Sequence, residues 1–197
     1  MTNGEKLGLG VLILIVGLGI GYTFRGSTSL LPSSGGHMMP DGSMMGQNID
    51  QHFIAQMIPH HEGAVAMAKV ALEKSKRPEM IALAKAIIKA QQKEIDDMLQ
   101  WHTAWYGSTP SSDGMGVMHM GGMEGDLAVL QSTSAENFDR EFILQMIPHH
   151  EMAIMMAGML KASTDRAEMK QLAENVITSQ SQEIELMRGW LKSWYKQ

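Results

Sequence analysis

The chain has 197 residues, 44% of them hydrophobic, with a net charge of −5, twenty methionines and no cysteine. That is enough apolar material for one packed domain, and the acidic balance, with no Lys/Arg cluster, excludes a nucleic-acid partner, which needs a basic face. The missing cysteines exclude disulfides, thiolate zinc sites, iron–sulfur clusters and cysteine nucleophiles.

Residues 1–25 form the first element. Leu7 to Phe24 is an apolar run between Lys6 and Arg25, interrupted by Gly8, Gly10, Gly17 and Gly19 and lacking an amphipathic face. Such a run reads as a cleaved signal peptide or an uncleaved membrane anchor, so the N-terminal segment sits in or passes through the membrane and the remainder is exported. Residues 26–47 then read as a flexible segment containing His37, Met38, Met39, Met44 and Met45. Apolar methionines in a Gly/Ser/Pro-rich stretch have no core to fill. Soft thioether sulfur prefers Cu(I), and imidazole accepts Cu(I) or Cu(II). A pliable Met/His tract can therefore wrap several donors around one copper ion.

From residue 48 to 197 the periodicity is helical. Residues 50–106 recur at 139–195 at a constant offset of 89 without a gap, with 26 of the 57 aligned pairs identical. Asp50 and Asp139 are the predicted N-caps of the first helix in each copy. Phe53, Ile54, Met57, Ile58, Ala64, Met67, Ala68 and Ala71 follow at helical spacing, and Phe142 to Ala157 repeat them. Pro59 and Pro148 lie inside these runs, where a kink is expected that frees the carbonyls of Ala55 and Leu144. Breaks are expected near Ser75–Pro78 and Ser163–Asp165, with second helices at about 79–105 and 166–195. The copies are joined by a linker at 107–133, read as flexible, with a second donor tract of Met115, Met118, His119, Met120 and Met123. Strand signals are absent. The expected fold is all-α, a four-helix bundle made of two tandem helical hairpins.

The core shared by the copies is Gln-Met-Ile-Pro-His-His-Glu, at 56–62 and 145–151. Met57 and His61 are i, i+4 neighbours, as are Met146 and His150, so sulfur and imidazole share a helix face. His60 and Met67 line an adjacent face, as do His149 and Met156, and Met152 is three residues from His149. Adjacent histidines diverge by about 100° on a helix, so one of each pair is expected to face inward and the other outward or towards the linker. Neutral imidazole beside thioether on neighbouring turns suits copper. A structural joint, with a buried histidine satisfying a freed carbonyl at the kink, is the competing explanation. Glu62 and Glu151 are either partners that orient these rings or solvated surface charges. His52 and His102 are extra to the first copy; the second has Glu141 and Leu191 there.

The tandem Met-Ile-Pro-His-His, followed by Ala and Met-Ala, resembles the CopM-like family, first catalogued as a domain of unknown function. The resemblance covers both repeats, the exported N-terminus and the Met/His tracts. It implies a ferritin-like four-helix bundle in the periplasm that binds copper and contributes to copper resistance. It places site positions at Met57, His60, His61 and Met67, and at Met146, His149, His150 and Met156. The family pattern also has a histidine eight residues before the first motif histidine. His52 fits this and Glu141 departs from it, which leaves the second site either weaker or dependent on a linker donor.

The leading expectation is therefore a periplasmic protein that sequesters or transfers Cu(I) and Cu(II), without turnover, and hands copper to a receiving or export protein. The alternatives are a copper-dependent oxidase on the same bundle and a metal-free interaction module. In the latter, Trp101, Trp105, Tyr106 and their equivalents form core caps or a homodimer surface. A di-iron oxidase is disfavoured because Glu94 and Glu183 lack a histidine three residues on.

Overall fold

The computed structural model describes residues 45–110 and 123–196, with side chains placed from 49 to 110 and from 127 to 196. The apolar run 7–24, His37, Met38, Met39, Met44, Met115, Met118, His119 and Met120 lie outside the described residues, as do the side chains of Met45 and Met123. Five helices and no strands are found among the described residues: α1 Met45–Lys74, α2 Pro78–Tyr106, α3 Met123–Ser132, α4 Ala135–Ser163 and α5 Ala167–Tyr195. The four long ones form the bundle. α1 pairs with α2 and α4 with α5 as hairpins, and α1 lies against α4 between them. Among the described residues no helix is long and apolar enough to cross a membrane.

Local chemistry sets the boundaries. Pro78 occupies the first turn of α2, where its missing N–H costs nothing. Gly107 ends α2 in the left-handed region at φ +71°, donating its N–H to the Thr103 carbonyl. The hairpin turns repeat one device. The Ser75 hydroxyl accepts from the Arg77 N–H at 3.2 Å, and the Thr164 hydroxyl accepts from the Arg166 N–H at 3.1 Å.

Three expectations change. Asp50 and Asp139 are not caps, because α1 and α4 begin upstream of them. Their carboxylates instead receive arginines from the opposite hairpin, Arg166 to Asp50 at 3.2 Å and Arg77 to Asp139 at 3.3 Å. Each arginine also lies over a tryptophan at the end of the aspartate's own hairpin, Arg166 over Trp105 and Arg77 over Trp194. Each hairpin turn is thus bolted to the open end of its partner. Secondly, α1 and α4 run unbroken through Pro59 and Pro148, whose rings face solvent. Water there can serve a carbonyl that a buried proline would orphan. Thirdly, residues Met123–Ser132 of the expected flexible linker form α3. It buries Leu130 against α1 and α4, and Lys74 closes its C-terminal carbonyls at Leu130, Gln131 and Thr133.

The core is divided in two. One apolar cluster gathers Ala64–Ala71 of α1, Met80–Ile87 of α2, Leu130, Phe138–Met146 of α4 and Met187 and Trp190 of α5. The other gathers Phe53–Ile58 of α1, Ile95 and Met98 of α2, Ala153–Leu160 of α4 and Met169–Val176 of α5. The late part of α1 therefore meets the early part of α4, so the two run antiparallel about a pseudo-two-fold axis. A polar layer lies between the clusters.

A buried histidine layer between the two repeats

His60, His61, His149 and His150 sit in that layer, with residual exposures of only 1, 0, 7 and 0%. Both histidines of each pair face the interior, contrary to the expectation that one would face out. The divergence of 100° still holds, but in a bundle both directions are inward. His61 and His150 point to the second helix of their own hairpin, while His60 and His149 meet across the axis.

On the hairpin side, His61 Nε2 donates to Glu94 Oε2 at 2.7 Å and His150 Nε2 donates to Glu183 Oε2 at 2.6 Å. Each Nδ1 is left without a hydrogen-bond partner. Across the axis, the His60 and His149 rings are 3.8 Å apart at a 46° tilt. None of their four nitrogens makes a well-formed hydrogen bond, although the backbone of the opposite histidine lies close enough to act on each ring. Burial lowers His60 to about 3, with His61 and His150 adding to the effect. His149 is lowered well below its ordinary value, first by burial and then by His60, His150 and His61. Both are neutral near pH 7, and each neutral imidazole presents one bare sp² nitrogen.

An unpartnered buried polar atom costs about 1–3 kcal/mol. Six such nitrogens lie in one layer, where apolar side chains would pack without penalty. The freed-carbonyl explanation finds no support, since no histidine of the layer bonds to Ala55 or Leu144. The chemistry of the donors fits copper: imidazole nitrogen, with the thioethers of the buried Met57 and Met146 one turn away on the same helices. Among the described residues there is no preassembled group of three His, Asp or Glu side chains able to hold a metal. Copper would thus need some side chains to turn.

The structure keeps other expected site residues apart from the layer. Met67 and Met156 lie two turns, about 10 Å, beyond His60 and His149 along their helices, each within an apolar cluster. His52 is half-buried near one end of α1 and accepts from Gln56 at 2.9 Å. Met152 is exposed. His102 donates Nδ1–H to the Ser108 carbonyl at 2.7 Å and packs on Tyr106, holding the end of α2. Of the two glutamates beside the motif, Glu62 is exposed and Glu151 pairs with Arg188 at 2.6 Å. The carboxylates that do reach the histidines are Glu94 and Glu183. They are identical between the repeats and follow the buried Gln91 and Gln180 by three residues, which is the signal that marks them.

The comparisons with known proteins agree with this architecture. A profile of the family described as "Domain of unknown function (DUF305)" matches residues 50–191. CopM in its Cu(I)-bound form is 44% identical, with a TM-score of 0.66 over 74% of this chain and 97% of that one. CopM in its Cu(II)-bound form is 45% identical over the same shares, also at 0.66. A DUF305 protein from Streptomyces coelicolor, described as secreted, is 26% identical with a TM-score of 0.67, over 74% of this chain and 91% of that one. The protein L153 of Acanthamoeba polyphaga mimivirus is 42% identical over 53 residues, and the match spans 27% of this chain but only 35% of that protein.

Proposed function

This chain belongs to the DUF305 family, and on that premise we propose that it is an exported copper-binding protein. It takes up Cu(I) and Cu(II) through Met/His donors, holds or transfers the ion without turnover, and contributes in the periplasm to copper resistance. The observation that carries this reading is the buried layer of four histidines with six unpartnered ring nitrogens. Copper is cargo here. Neutral His60 and His149 supply ligand nitrogens on the axis. His61 and His150 are held by Glu94 and Glu183 with Nδ1 bare, and Met57 and Met146 supply soft sulfur. The similarity to CopM, solved with Cu(I) and with Cu(II), supports copper over zinc or iron. The secreted Streptomyces relative and the apolar run 7–24 support export. The Met/His tracts of 37–45 and 115–123 add exchangeable Cu(I) donors, suited to passing the ion to a receiving or export protein.

The test is a titration of the exported part of the chain with Cu(I) and Cu(II) against a competing chelator. Replacing His60, His61, His149 and His150 by Asn is expected to remove most Cu(II) binding while the helical circular-dichroism signal remains. Replacing Met38, Met39, Met44, Met45, Met115, Met118, Met120 and Met123 by Leu is expected to remove most Cu(I) capacity. Unchanged stoichiometry in both variants refutes the assignment.

A further inference from the structure

α4 carries three methionines on its outward side: Met152 at 40%, Met155 at 58% and Met159 at 54% exposure. They are half of the six large apolar side chains exposed among the described residues. Their spacing of three and then four residues stacks them on one stripe across consecutive turns. The bundle does not require them, because the equivalent positions of α1 are Gly63, Ala66 and Val70. Nor is the stripe covered as its counterpart is. At that end of α1, Val70 is buried in the same cluster as Leu130 of α3, which also packs against the early part of α4, and no described segment holds the corresponding place beside Met152, Met155 and Met159.

Sulfur, rather than mere apolarity, distinguishes these positions. A face meant only for packing is served by Leu or Val, and three of three positions are thioethers. The unbranched methionine chain turns about three bonds, and Cβ atoms three or four residues apart on a helix stand about 5–6 Å from each other, so neighbouring sulfurs can converge on one ion. With neutral sulfur donors and no carboxylate in the set, the site would favour a soft monovalent cation. The stripe also starts one turn from His149, the least buried histidine of the layer, whose two ring nitrogens lack hydrogen-bond partners.

We propose that Met152, Met155 and Met159 form a surface site for Cu(I), or Ag(I) in its place, that belongs to the second repeat alone. The stripe can hold its ion whether or not His149 takes one up, so its test is separate from that of the histidine layer. The full chain is labelled with ¹³C at the methionine methyl groups and titrated with Ag(I), the three signals being assigned by single Met→Leu substitutions. They are expected to shift together with one midpoint, in the original chain and in His149→Asn alike, and to stay put with Zn(II). The triple Met152→Leu/Met155→Leu/Met159→Leu variant is expected to bind one Ag(I) fewer with unchanged helicity. Signals that stay at their free positions, move with three separate midpoints, or respond equally to Zn(II) overturn the proposal. So does unchanged stoichiometry in the triple variant, which would mark the stripe as an apolar docking face.

Discussion

At the scale of the residue, the two carboxylates that steady the layer carry a sharp expectation. Glu94 and Glu183 are acceptors, so each fixes its histidine with hydrogen on Nε2 and the lone pair on Nδ1. Glu94→Gln and Glu183→Gln keep the shape and remove the charge. Together they are expected to lower Cu(II) affinity about 10–100-fold while the helical signal holds, and ¹⁵N spectra should show mixed tautomers at His61 and His150. Undiminished affinity would mean that these carboxylates do not orient ligands. The histidines themselves are legible from the repeated motif. Their carboxylate partners are not, because the pairing spans 33 residues and depends on how two antiparallel helices are aligned. Spacing within a single helix, which is all that Glu-x-x-His tests, carries no information about that alignment.

At the scale of the element, apolar periodicity and the breaks at Ser75–Pro78 and Ser163–Asp165 foretold both hairpins closely. α3 was obscured because a ten-residue helix beside a Gly-rich tract has too few turns for its stripe to stand out, and its order comes from Leu130 and Lys74 contacts with other helices. Asp50 and Asp139 resemble caps for a related reason. An aspartate ahead of an apolar run resembles a cap unless the arginine arriving from the opposite hairpin is known. That arginine gives a comparison within one molecule. Asp50 is more deeply buried than Asp139, its side chain keeping 2% exposure against 11%. Arg166→Ala, which strands Asp50, is therefore expected to cost about 3 kcal/mol, and Arg77→Ala roughly half that. Urea unfolding of the two variants measures the difference, and equal losses would show that burial of the carboxylate is not what sets the cost.

At the scale of the whole molecule, the central layer makes stability depend on pH. His60 falls from 6.5 to about 3 on folding, and His149 moves the same way. Both bind protons more readily unfolded than folded. The His60 contribution is therefore complete above about pH 6.5 and is lost as pH falls towards 3, and that of His149 falls in the same direction. For His60 alone the loss amounts to about 2 kcal/mol by pH 5. Asp50, whose carboxyl is raised mainly by burial, runs the other way and offsets part of the loss at the acid end. Urea midpoints of the metal-free protein should fall between pH 7 and pH 5, and His60→Asn/His149→Asn should flatten that trend. An unchanged trend in the double variant would place the acid sensitivity elsewhere. The meeting of His60 and His149 on the axis also bears on why the two halves share a chain. Two separate copies of one hairpin could build the same interior, but every change to the outside of one would appear on the other. Joined end to end, the halves must agree only where they touch. Gly63, Ala66 and Val70 can then stand opposite Met152, Met155 and Met159, and a like-for-like centre can coexist with two dissimilar exteriors.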